Sequence, residues 1–148
     1  MKELIERILE HEWEMFDKVN NEGGRASCQN DRQTFMIMRK SQFEAWTKDV
    51  LESYFKDIMD AETFERNLLT EKYAYMMEFT APAQFAAMKD VLPEITEEKQ
   101  KLVDEICEIE MEWTEDMCEK YPLTAKRGRP IHSYEDGPMG VSVETYKI

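Results

Sequence analysis

The stretch KELIERILEHEWEMFDKVN, residues 2–20, decides the fold class. Set on a wheel at roughly 100° per residue, Ile5, Ile8, Leu9, Phe16 and Val19 gather on one stripe, the period of an amphipathic helix. Glu12 falls at the centre of that stripe, flanked by Trp13 and Met15. A carboxylate in the middle of an apolar face is the first sign that this helix does more than pack.

Outward from it the same period recurs. Asn20-Asn21-Glu22-Gly23-Gly24 ends the first helix in residues that tolerate turns. Asp31 caps a second helix to about Trp46, and Thr47 or Asp49 restarts it to about Asp60. A third runs from about Glu62 to Thr80, and Pro82 opens a short fourth that Pro93 closes. Thr96 caps a long fifth to about Lys120, stopped by Tyr121-Pro122. Gly128, Pro130, Gly137, Pro138 and Gly140 then break any further periodicity. The expected architecture is an all-α single-domain bundle of about five helices over 1–120, with an irregular C-terminal segment over 121–148 packed on the same domain.

The chain is acidic, with 32 acids against 19 bases in 148 residues and a formal charge of −13. That balance excludes a general nucleic-acid binder, which needs excess Lys and Arg to displace counterions. No apolar run approaches the ~18 residues of a membrane span. Three widely spaced cysteines, Cys28, Cys107 and Cys118, suit free thiols in a reducing cytoplasm. Residues 94–119 alone hold eleven acids and two bases, a net −9. Positive islands lie at Arg25, Arg32, Arg39 and Lys40, and at Lys120, Lys126, Arg127 and Arg129. In an acidic chain such islands either concentrate anions or pair with the acidic fifth helix.

Three more charges intrude on apolar faces. Arg39 sits among Phe35, Met36, Phe43 and Trp46, with Gln42 at the edge. Lys72 is surrounded by Phe64, Leu68, Leu69, Tyr75, Met76 and Phe79. Glu110 lies in the stripe Leu102, Val103, Ile106, Ile109, Trp113 and Met117. An ion buried alone costs several kcal/mol, so these groups must pair, titrate or reach water in a cavity. One reading is a buried network that fixes helix register. The other is a polar pocket between helices, with Glu12 and Glu110 as acid/base candidates.

The loop Gly23-Gly24-Arg25-Ala26-Ser27-Cys28-Gln29 has two readings as well. Paired glycines, an Arg and a following helix start offer anion-binding donors, and Cys28 beside Arg25 is a candidate nucleophile. Alternatively the loop only connects two helices. No zinc, iron–sulfur or di-iron centre is expected: His11 and His132 are the only histidines, neither follows a Glu by three residues, and the cysteines are too far apart to chelate; a carboxylate-held Mg or Mn ion stays open. No nucleophile-elbow or dinucleotide motif is present.

Several strings carry a resemblance: Glu12-Trp13-Glu14-Met15-Phe16, the Gly-Gly-Arg-Ala-Ser-Cys-Gln loop, Ile37-Met38-Arg39-Lys40-Ser41-Gln42, Arg66-Asn67-Leu68 with Glu71-Lys72-Tyr73-Ala74, Gly128-Arg129-Pro130, and Glu144-Thr145-Tyr146. Together, over nearly the whole chain, they resemble the bacterial domain-of-unknown-function family numbered forty-one twenty-five. The resemblance implies a bacterial cytoplasmic protein and brings no activity with it. Its motif residues coincide with Glu12, Arg39, Gln42 and Lys72. The expected function is binding of an anionic small molecule, or a small enzyme acting on one, with Arg25, Arg39, Gln42 and Lys72 as ligand-holding residues. The alternative is a protein–protein interaction module that docks a basic partner on its acidic helix. No cofactor is assigned.

Overall fold

The helical periods of the sequence are realised as helices. The computed structural model describes residues 1–20, 23–135 and 142–145, and contains no strand among them. Asn21, Glu22, Gly137, Pro138, Gly140 and Tyr146, which figured in the turn, tail and motif readings, lie outside the described residues.

Seven α-helices, rather than about five, occur among the described residues: α1 (Lys2–Asp17), α2 (Arg32–Phe43), α3 (Lys48–Thr63), α4 (Leu68–Thr80), α5 (Pro82–Met88), α6 (Glu97–Lys120) and α7 (Pro122–Ala125). The difference has local causes. The second segment is two helices, because Thr47 takes an extended conformation and its hydroxyl accepts from the Val50 N–H to start α3. Pro122 does not merely stop α6; it occupies the first position of a further turn, α7, where its missing N–H is harmless.

The boundary near Glu62 also moves. α3 runs on to Thr63 and closes with two backward bonds, Arg66 N–H to Ala61 O at 2.8 Å and Glu65 N–H to Glu62 O at 3.1 Å. This is a Schellman ending, and it puts Glu65 at φ 55°, a left-handed position that glycine normally fills. Phe64, expected on the apolar face of the following helix, is instead the exposed C-cap of α3. Asn67 then starts α4 by accepting from the Thr70 N–H at 2.9 Å, while its amide donates to Met15 O at 2.8 Å.

The chain divides into two compact units, Met1–Tyr73 and Ala74–Ile148. In the first, α1 packs against α2 and α3. α1 buries Ile5, Ile8, Leu9, Met15 and Phe16 against Phe43, Leu51, Ile58, Ala61 and Leu69, and Glu12 is fully buried among them. In the second unit, α6 buries no residue at all. Backbone bonds from Val143 N–H to Pro130 O (2.8 Å) and Glu144 N–H to Ile131 O (2.9 Å) tie the described part of the tail to itself.

Candidate functional site

In the first unit α1, α2, α3 and the start of α4 bring polar groups together around Glu12. Its carboxylate, with no exposure, faces α2, where Arg39 projects from the third turn. Arg39 Nε donates to Glu12 Oε2 at 2.8 Å and Arg39 Nη2 to Oε1 at 2.6 Å, a two-pronged pairing that suits the planar guanidinium. The Tyr54 hydroxyl, from α3, donates to the same Oε1. Arg39 Nη1 donates to Gln42, and the guanidinium lies 4.7 Å over the Phe43 ring. No buried side-chain polar atom among the described residues lacks a partner.

Electrostatics follow from this packing. Burial, then the negative charge of Glu12 and the bond to it, pushes the Tyr54 phenol well above its ordinary range, so Tyr54 is a firm proton donor in the network. Desolvation works against the charge of Arg39, but the hydrogen bond and charge of Glu12 more than offset it and raise its pKa. Lys72, on α4, is the exception. The atoms crowding its ammonium, followed by the positive charge of Arg39, hold its pKa below the ordinary value, and Glu12 compensates only in part. By area Lys72 is an exposed residue rather than the centre of a buried face. It makes no ion pair or hydrogen bond with another described residue. The cluster thus carries one cation more than Glu12 neutralises.

Glu12, Arg39, Gln42 and Lys72 therefore converge as a group. Tyr54 belongs with them; in the sequence it reads first as one more core aromatic, and nothing in its spacing with Tyr73 and Tyr75 requires a pocket. Glu110 stands apart in this respect: it is exposed on α6 in the second unit, along a groove with His132 and Glu144.

The glycine-rich loop has its own internal logic. Gln29 is buried, and its amide donates to Phe16 O at 2.8 Å and Val19 O at 2.9 Å, carbonyls at and just past the end of α1. Its oxygen accepts from the Ala26 N–H at 2.9 Å. Arg25 donates to Asn30 Oδ1 at 2.8 Å, Gln29 O at 2.6 Å, Asp17 O at 3.2 Å and the Asp17 carboxylate. Its guanidinium is engaged by the loop and by the end of α1. Gly24, at φ 85°, supplies the left-handed residue the turn requires. Cys28 is exposed, and with Arg39 it borders a cleft of about 220 Å³ walled by Phe16, Phe35, Met38 and Tyr73.

Among the described residues, no group of three or more His, Cys, Asp or Glu side chains is placed to hold a metal ion. His11 pairs with Glu62, Nδ1 to Oε1 at 2.7 Å. No helix is long and apolar enough to cross a membrane among the described residues.

Helices that assemble a satisfied ion pair beneath a surplus cation define an all-α protein with a polar inclusion in its first unit. The model of the family described as "Protein of unknown function (DUF4125)" matches residues 2–147, and the chain belongs to that family. No curated protein and no solved structure matches the chain.

Proposed function

We propose that the chain binds a small anion, phosphate- or carboxylate-bearing, at Lys72 and the outer edge of Arg39, with Gln42 and the neighbouring cleft completing the site. The observation that supports this is the state of Lys72. The residue is exposed and within reach of the Arg39 charge; desolvation and then that charge hold its pKa below the ordinary value. It forms no ion pair or hydrogen bond with a described residue. An anion placed there would supply the counter-charge that Lys72 and the outer edge of Arg39 lack. Glu12 and Tyr54 anchor Arg39: with three donors on its two oxygens, the carboxylate works as a support for the guanidinium. Cys28 supplies an exposed thiol at the same cleft. Arg25 has no part in this reading, since its donors already serve the loop. Cytoplasmic residence belongs to the same proposal, supported by three free thiols.

The test is a thermal-shift titration with inorganic phosphate, citrate and nucleoside phosphates, on the wild type and on Lys72→Met. Binding selective for the folded chain stabilises it by about 2.7 kcal/mol at a hundredfold excess over Kd. The expected result is a saturable rise with at least one anion in the wild type and none in Lys72→Met. No rise with any of them, or an equal rise in both proteins, would overturn the reading.

A further inference from the structure

The 24-residue helix α6 has an apolar seam that nothing else described in its own unit covers. Leu102, Ile106, Ile109, Trp113 and Met117 are between 38% and 69% exposed. The half-buried residues Val103, Cys107, Met111, Thr114 and Cys118 lie roughly a third of a turn away around the helix. Within its own unit the helix is thus seated on one face and open on another. From Leu102 to Met117 the seam runs about 22 Å, some four turns.

Its spacing is that of a helix-pairing seam. Leu102, Ile106, Ile109 and Trp113 alternate steps of four and three, which places Glu105 and Glu112 along one flank and Glu110 along the other. None of these three acids forms an ion pair with a described residue. Flanking charges of this kind decide which helix can pair with which. A second copy of the same seam would set Glu105 against Glu110 if parallel, and Glu110 against Glu110 if antiparallel. Both arrangements bring carboxylates together in a helix region of net charge −9, over residues 94–119.

We infer that the α6 seam docks an amphipathic helix of another protein, with large aliphatic side chains on one face and Lys or Arg on both flanks. The apolar stripe supplies the contact area and Glu105, Glu110 and Glu112 select the partner by charge. This surface lies wholly in the second unit and stands independently of the anion site.

The probe is a fluorescently labelled eighteen-residue helix with a leucine face and lysine flanks. It is compared with a glutamate-flanked version and with a scrambled lysine peptide that has no apolar face. Anisotropy should rise saturably with the lysine-flanked helix, at least tenfold more tightly than with either control. The affinity should fall at least tenfold in Ile106→Ser/Trp113→Ser, whose circular dichroism and melting should match the wild type. Binding of the scrambled peptide with equal affinity, or no saturable binding by the lysine-flanked helix, would overturn the inference. So would a wild-type chain that sediments as a dimer and becomes monomeric in the double variant, since a second copy would then occupy the seam.

Discussion

α1 and α6 are built to the same pattern and end differently. Each carries an apolar stripe at helical spacing with a glutamate in or beside it. On α1 the stripe is closed over by α2 and α3, and Glu12 is matched by three donors. On α6 the stripe is open, and Glu110 is exposed and forms no ion pair with a described residue. The periodicity of a helix says which side chains share a face. What covers that face, and so whether a charge on it is buried, depends on neighbours that the helix's own sequence does not name.

The comparison can be broken most forcefully at Arg39. Arg39→Met leaves the fully buried Glu12 carboxylate with only Tyr54, and should lower stability by about 3–5 kcal/mol in urea unfolding. Replacing Glu12 and Arg39 together by Leu and Met should recover much of the loss, since a well-packed apolar pair avoids the desolvation of both ions.

The next largest effect belongs to the end of α1. Gln29→Ala removes the amide that serves the Phe16 and Val19 carbonyls, and should lower stability by about 2–3 kcal/mol with little change in the unfolding slope. Glu65→Gly should go the other way. It relieves a left-handed residue at the end of α3, and should raise stability by about 0.5–1 kcal/mol in the same assay. The smallest effect is expected on α6, where Ile106→Ser or Trp113→Ser should change the unfolding free energy by no more than about 0.5 kcal/mol. A large loss at either position would mean that the seam is part of the folded core, and the contrast between α1 and α6 would fail.

Much of the first unit was legible because misplaced charge is a strong signal. Glu12, Arg39, Gln42 and Lys72 stood out against helical wheels, and the structure brings the four together. Tyr54 did not stand out, since a phenol on an apolar stripe reads as core until its hydroxyl is seen on a carboxylate. Gln29 was hidden for a related reason: its partners are backbone carbonyls at the end of another element, and a string of side chains carries no mark of those. The end of α3 was misplaced because glutamate, not glycine, fills its left-handed position. Thr47 marked a helix start in the sequence, but whether the chain bends there depends on the backbone at Glu44–Trp46, where no Gly or Pro punctuates the string.

The state of Lys72 carries the functional reading, and it can be measured at the residue itself. A side-chain NMR titration of Lys72 should give a pKa below the ordinary lysine value in the free protein, because crowding and Arg39 both disfavour its charge. With fewer protons bound in the folded state than in the unfolded one, Lys72 should make stability rise with pH through that window. Saturating inorganic phosphate should move the pKa upward as the anion supplies the missing counter-charge. An ordinary or raised pKa in the free protein, unmoved by phosphate, would contradict the account.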